Sequence, residues 1–293
     1  MRIFVTGATG FVGSAIVQEL LGAGHQVLGL ARSEAGAQAL TAVGAAVHHG
    51  TLDDLDSLRR GAEAADGVIH TAFNHDFTAY ETAGETDRQA IEALGGVLAG
   101  SNRPLLVTSG LAGFAPGRLA TEDDRPIALP RMSEPTALAL AAQGVRAIVV
   151  RLSASVHDRN DHGFIPTLIN IAREKGVAAY VGEGLNRWPA VHRLDAARLY
   201  RLALEQGTAG ACYHGLADEG IPLRDIAAII GRHLNVPVVS LTAEEAPGHF
   251  GWMARFVGLD MAASSTLTQQ RLGWQPTHPG LLADLEQGHY FAS

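Results

Sequence analysis

Along the first half of the chain, short unbroken apolar runs alternate with longer stretches in which apolar residues return every three or four positions. The runs Ile3–Thr6, Gln26–Leu30, Ala46–His48, Gly67–Thr71, Leu105–Thr108 and Ala147–Arg151 have the length of strands and little polar alternation, the pattern of strands covered on both faces. Helical spacing fills the intervals at Phe11–Ala23, Ala35–Val43, Asp54–Ala62, Arg88–Ala99 and Glu134–Gln143. Gly22, Gly44, Gly61 and Gly100 stand near the ends of these helices, where a residue without a Cβ best closes a helix. Strand and helix alternating at this spacing predict an α/β fold with a parallel sheet and helices on both faces.

After Arg151 the rhythm changes. Ser153–Gly163 reads as a polar loop, Phe164–Lys175 as a helix closed by Gly176, and Val177–Val181 as a strand. A helix at Leu194–Gln206 leads to a strand at Ala211–His214, and five prolines from Pro222 to Pro279 predict short elements beyond it. This part reads as a smaller region, partly woven back into the sheet, that closes over a ligand.

Composition narrows the function. The 293 residues are 47% hydrophobic and 18% charged, which excludes a disordered or fibrous chain. A single cysteine, Cys212, excludes an internal disulfide, and thirteen scattered histidines have no metal-ligand spacing, so no metal site is expected. A net charge of -8 speaks against nucleic acid as a partner, because phosphate contacts need clustered cations. No apolar run approaches the roughly 18 residues of a membrane span, and the N-terminus lacks a signal-peptide core. The expectation is a soluble, cytoplasmic protein with a small-molecule substrate and no membrane partner.

The strongest motif is Thr6-Gly7-Ala8-Thr9-Gly10-Phe11-Val12-Gly13, placed where the first strand ends and the first helix begins. Gly7 allows the tight turn, Gly10 lets the backbone approach a pyrophosphate, and Gly13 lets helix and strand close on each other, while the helix N-terminus offers its N–H groups to the anion. This order predicts a Rossmann-type doubly wound sheet that binds a nicotinamide dinucleotide. The dinucleotide-binding part is expected to span 1–155 plus about 190–216, and the substrate region about 156–189 and 217–293. The second strand runs into Ala31, Arg32 and Ser33 instead of the Asp or Glu that reads the free ribose 2′-OH of NAD. An Arg fork suits a 2′-phosphate, so NADP(H) is expected over NAD(H), unless Arg32 is only solvated and Ser33 only caps the next helix.

The Gly motif resembles the short-chain dehydrogenase/reductase superfamily in its extended or atypical, epimerase/dehydratase-like branch. Further segments agree. Gly50-Thr51-Leu52-Asp53-Asp54 resembles the adenine-contacting segment, with Asp53 in the contacting place unless it or Asp54 caps a helix. Val68 to Phe73 resembles the fourth-strand segment along the cofactor, which implies contacts from Thr71, Ala72 and Phe73. Leu105 to Gly110 resembles the fifth strand, implying roles for Thr108 and Ser109, and Val149 to Ser153 resembles the exit toward the nicotinamide, implying Leu152 and Ser153. Val191–Asp195 and Leu272–Pro276 resemble further segments of extended members. Homodimers are common in the superfamily, and the resemblance implies one here.

The superfamily's Tyr-x-x-x-Lys pair is missing. Its place near Pro130–Pro135 offers Pro130 with Glu134, or Arg131 with Pro135, and the five tyrosines (80, 180, 200, 213 and 290) lie elsewhere. Ser109 is the nearest polarising hydroxyl, although Gly110 aligns as well. His75, just past the fourth strand, is a candidate proton donor because it titrates near neutrality, with Tyr80 behind it; a turn at Asn74–Phe77 is the simpler alternative. His157, Asp158 and His162 read as surface or substrate-loop residues. Trp188 with Pro189, and Phe250 with Trp252, read either as a pocket wall or as core. Two functions compete: an NADP(H)-dependent reductase of a small carbonyl, quinone or related electrophile, and a non-catalytic NADP(H)-sensing regulator.

Overall fold

A computed structural model describes residues 1–74, 80–114, 117–127 and 131–292. The first half of the chain is a strand–helix alternation. It runs β1 (Arg2–Thr6), α1 (Phe11–Gly22), β2 (Gln26–Ala31), α2 (Glu34–Ala42), β3 (Ala46–His49), α3 (Leu55–Glu63), β4 (Gly67–His70), α4 (Tyr80–Leu98), β5 (Pro104–Gly110), α5 (Ser133–Ala142) and β6 (Arg146–Leu152). The second half continues with β7 (Ser155–His157), α6 (Phe164–Lys175), β8 (Ala178–Val181), β9 (Arg187–His192), α7 (Arg193–Gln206), β10 (Cys212–Gly215) and β11 (Asp218–Pro222). It closes with α8 (Leu223–Leu234), β12 (Val238–Leu241), α9 (Ala246–Phe250), α10 (Ala254–Val257), α11 (Thr266–Leu272) and α12 (Leu281–Glu286).

Seven strands form one parallel sheet in the order β10-β6-β5-β4-β1-β2-β3. The order reverses between β1 and β4, so the carboxyl ends of those strands flank the crevice where open α/β sheets bind ligands. Successive side chains along a strand point to opposite faces, and the burial follows that period. Val5, Ile69, Leu106, Ile148 and Val150 are buried with α1 and α7, whereas Phe4, Val68, Val107, Ala147 and Val149 are buried with α3, α4 and α5. A third cluster, built on Trp188, Ile226, Met253 and Leu281, fills the C-terminal region around a sheet of β11, β9 and β7 and the pair β12–β8.

The two halves interlock. β10 closes the sheet beside β6, with Cys212 opposite Val149. α7 lies along α1 with the same direction: Arg193 sits over the Phe11 ring, Arg201 pairs with Glu19, and Glu205 with His25. Among the described residues no helix is long and apolar enough to cross a membrane.

Three sequence expectations change. Residues 153–163 are not all loop, because Ser155–His157 forms β7 against β9. α4 begins at Tyr80 rather than Arg88, because Ala83, Asp87, Ala90, Ile91 and Leu94 continue one buried helical face in which an acidic residue interrupts the apolar pattern. The proline-rich tail is less broken than expected, since Pro222 precedes the twelve-residue α8 as its N-cap instead of interrupting it.

Candidate functional site

The turn from β1 into α1 has the shape of an anion cradle. Gly7 is in the left-handed region at φ 70°, and a Cβ there would lie 2.6 Å from Thr71 Oγ1 and 2.7 Å from the Ala72 nitrogen. A Cβ on Gly13 would collide with the Gly7 carbonyl. Gly10 donates to Gly7 at 2.9 Å and Ser14 to Gly10 at 2.9 Å. The first-turn N–H groups of Phe11, Val12 and Gly13 therefore lack intrahelical acceptors, and the N-cap, Gly10, has no side chain to serve them. The neighbouring helices differ: Ser33 Oγ accepts from the Gly36 N–H at 3.2 Å, and Asp54 Oδ1 from the Ser57 N–H at 2.9 Å. An uncapped helix start on a close-fitting glycine turn fits a dinucleotide pyrophosphate.

The remaining expected cofactor residues surround that turn at the carboxyl edge. Ala8 is buried under it, and Thr9 is exposed on it. Arg32 stands exposed just past β2, with no hydrogen bond or ion pair among the described residues. Ser33 is the α2 cap, and because Asp54 caps α3, Asp53 beside Leu52 is left exposed without that duty. Thr71 leaves β4 with its hydroxyl donating to the Thr6 carbonyl at 2.8 Å; Ala72 and Phe73 follow, half-buried. Leu152 ends β6 and Ser153 follows it, its Oγ donating to the Ser155 carbonyl at 2.8 Å. His75 lies outside the described residues.

Thr108 and Ser109 do different work because they face opposite sides of β5. The Thr108 hydroxyl donates to the His70 carbonyl at 2.8 Å and lies 2.7 Å from the Tyr200 hydroxyl, so it is committed to the fold. Burial pushes Tyr200 well above the usual phenol range, in spite of that hydrogen bond. Ser109 is 2% exposed, and its Oγ has no hydrogen-bond partner among the described residues. Buried polar atoms are nearly always satisfied, so an unmatched hydroxyl at the sheet's carboxyl edge is suited to a bound ligand.

On the Ser109 face the structure assembles a polar chain that the sequence reading missed. Thr6 and His70 are register partners on adjacent strands, with Thr6 Oγ1 2.8 Å from His70 Nδ1. His70 Nε2 lies 3.0 Å from Asp87 Oδ1 on α4. Asp87 Oδ2 accepts from the Ser133 hydroxyl, and Ser133 Oγ in turn accepts from Arg131 Nε at 2.6 Å. Arg131 Nη2 donates to the Thr108 carbonyl at 3.1 Å, and its guanidinium stacks 4.1 Å from the centre of the Phe73 ring. Satisfying every member fixes the protons: His70 donates from Nε2 to Asp87 and accepts at Nδ1 from the Thr6 hydroxyl. Burial would raise the Asp87 carboxyl, but the His70 hydrogen bond, the Arg131 charge and the Ser133 hydrogen bond hold it below the usual carboxylate range. The signal for this chain was Asp87 itself, an acid on the apolar face of a helix, and starting that helix at Arg88 hid it.

Glu134, which one alignment puts at the missing Lys position, is 1% exposed and forms a two-pronged pair with the buried Arg151, at 2.6 and 2.8 Å. Arg151 Nη1 also reaches His214 Nε2 at 3.0 Å, and His214 Nδ1 lies 2.7 Å from the Ser264 carbonyl. Burial and the adjacent Arg151 charge push His214 down to about 3. The expectation for His157 is corrected: it is fully buried, 2.9 Å from Asp284, because β7 carries it inward against α12. His162 does lie exposed on the loop beyond, edge-on to Phe11 at 5.7 Å. Trp188 and Phe250 are core and Trp252 is 40% exposed. Among the described residues no group of three or more His, Cys, Asp or Glu is placed to hold a metal ion.

A profile of the NAD dependent epimerase/dehydratase family matches residues 3–92, the segment from β1 into α4. An uncharacterized protein of Schizosaccharomyces pombe is 53% identical over 99% of this chain and 100% of its own length. A 4-hydroxy-2-methyl-3-oxo-4-farnesyl-3,4-dihydroquinoline-1-oxide ketoreductase of Stigmatella aurantiaca is 27% identical over 86% of this chain and 80% of its own. Among solved structures, the dTDP-glucose 4,6-dehydratase of Streptomyces venezuelae with NAD and TYD bound shares the fold. It superposes with a TM-score of 0.78 and 21% identity, over 98% of this chain and 96% of that one. The glycine turn, the strand order and this kinship along almost the whole length agree, and the chain belongs to the NAD dependent epimerase/dehydratase family.

Proposed function

We propose that the protein is an NADP(H)-dependent reductase of a small carbonyl, quinone or related electrophile. The observation that carries this reading is the Ser109 hydroxyl, buried and unmatched at the carboxyl edge of β5, on the face where Arg131 is also anchored. A bound nicotinamide supplies hydride chemistry at its C4. The chain's own residues do the rest. Gly7, Gly10 and the first turn of α1 hold the diphosphate, exposed Arg32 meets a ribose 2′-phosphate, and Ser109 donates to the acceptor oxygen. The relative named as a ketoreductase supports a carbonyl acceptor.

A second reading, an NADP(H) sensor without turnover, is favoured by the helix α5, where Ser133 and Glu134 are buried in structural bonds and no Tyr–Lys pair stands. Steady NADPH consumption with a panel of quinones, aldehydes and imines decides for the reductase. Tight nucleotide binding without turnover, joined to capture of one defined protein partner, decides for the sensor. Calorimetry that registers no nicotinamide nucleotide at all rejects both.

A further inference from the structure

We propose that Arg131 and Ser109 together bind the developing oxyanion of the substrate, and that this pair selects acceptors whose reduced oxygen is a stabilised anion, namely quinones and conjugated enones over simple aldehydes. The inference rests on the reductase reading above. Arg131 is fixed on three sides, by Ser133, by the Thr108 carbonyl and by the Phe73 ring. Its Nη1 has no hydrogen-bond partner among the described residues. The carbonyl it holds belongs to the peptide that leads into Ser109, whose Oγ is also unmatched. Two unspent donors therefore stand at one strand end, one of them cationic.

The chemistry of the cation sets the substrate class. A guanidinium stays charged at every working pH, so it stabilises negative charge without surrendering a proton. Reducing a simple aldehyde generates an alkoxide about as basic as hydroxide, far above the phenol range, and such an oxygen needs a proton during the step. A hydroquinone or enol oxygen titrates in the phenol range, about 10, and persists as an anion beside a fixed cation. The balance is simple. Reduced nicotinamide dinucleotide, when bound, would supply a hydride with its two electrons to the conjugated position of the acceptor; the C=C pair would shift toward the carbonyl carbon and the carbonyl π pair onto oxygen. Arg131 and Ser109 hold that charge until water donates the proton.

The test uses 4-nitrophenol as a mimic of the anionic product, added to the full-length protein saturated with oxidised NADP, with ionisation read from the phenolate absorbance. The expected result is a bound phenol that ionises about one pH unit below the free one, a tenfold preference for the anion. Arg131→Gln should abolish the shift, Ser109→Ala should reduce it, and Arg131→Lys, which keeps the charge, should retain most of it and serves as the folding control. A bound phenol with an unshifted ionisation, a shift that survives Arg131→Gln, or no binding overturns the proposal. Turnover separates this claim from the one beneath it. If the shift is present and depends on Arg131 while no acceptor consumes NADPH, the reductase reading fails and the anion pair stands. If aldehydes react as fast as quinones and the shift is absent, the reductase stands and the pair falls.

Discussion

Asp87 and His70 meet at 3.0 Å between α4 and the sheet, each 1% exposed, and through them the glycine turn at Thr6 is tied to the guanidinium of Arg131. Asp87 accepts from two buried donors, so it cannot be removed quietly. Asp87→Ala leaves His70 Nε2 without a partner and the Ser133 hydroxyl proton without an acceptor, and unsatisfied buried polar groups cost roughly 1–3 kcal/mol each. Chemical denaturation should show a loss of about 3 kcal/mol. Dinucleotide affinity should change less than turnover, because the substitution frees Arg131 while the α1 turn keeps its shape.

Gly13→Ala tests the cradle. Its methyl would meet the Gly7 carbonyl, which is backbone and cannot swing aside. Backbone strain of this order costs roughly 1–3 kcal/mol, so calorimetry should register NADPH affinity reduced by about ten- to a hundredfold. A Gly22→Ala control, at a position with nothing within 4 Å, should bind normally.

Arg32 is the residue on which the proposed NADP(H) preference is tested. Arg32→Ala should weaken NADPH binding by about tenfold and leave NADH unchanged, since a charge-assisted hydrogen bond contributes roughly 1.5–3 kcal/mol and only the 2′-phosphate receives it. The NADPH advantage of the unaltered protein should also shrink as salt is raised, because Arg32 is exposed and screened. An affinity ratio that ignores both changes refutes the preference.

Acid should unfold the protein partly through His214. Its ordinary value of 6.5 falls to about 3 in the fold, so below pH 6.5 the unfolded chain takes up a proton that the native state refuses. The stability contribution is complete above about 6.5 and is lost as pH falls toward 3. Thermal melts between pH 7 and pH 4 should show a falling midpoint, and His214→Gln should flatten that slope while lowering the midpoint at pH 7, because the Arg151 and Ser264 contacts are weakened.

Glu134→Ala should be worse than removing both partners. It strands a guanidinium that is fully buried, at a cost of roughly 3–5 kcal/mol, whereas Glu134→Met combined with Arg151→Met removes both charges and should recover much of the loss. Denaturation midpoints of the single and double variants measure the difference.

The central sheet was legible because its strands, apart from the exposed edge strand β3, are buried on both faces and read as plain apolar runs between glycine-closed helices. The glycine turn was legible because three glycines at fixed spacing answer a steric demand, seen at Gly7 and Gly13. Other parts depended on contacts between residues far apart in the chain. β7 is three residues long and exists because β9 lies beside it. His157 looked like a loop residue because its partner, Asp284, is 127 positions away. The His70–Asp87–Ser133–Arg131 chain draws on β4, α4, α5 and the segment just before α5, and no local spacing announces it. Asp87 was the one visible clue, a carboxylate among the alanines and leucines of a helix face.

The parallel seating of α7 along α1, with β10 closing the sheet, means that the seven-stranded sheet and its α1 layer are finished only by polypeptide made after residue 190. A ribosome that has released only the first 155 residues has made a sheet whose β6 edge is bare and whose α1 layer lacks its neighbour. The nascent first half should therefore stay unsettled until α7 and β10 emerge. For the same reason the C-terminal region cannot be exchanged as an interchangeable module without carrying those two elements with it.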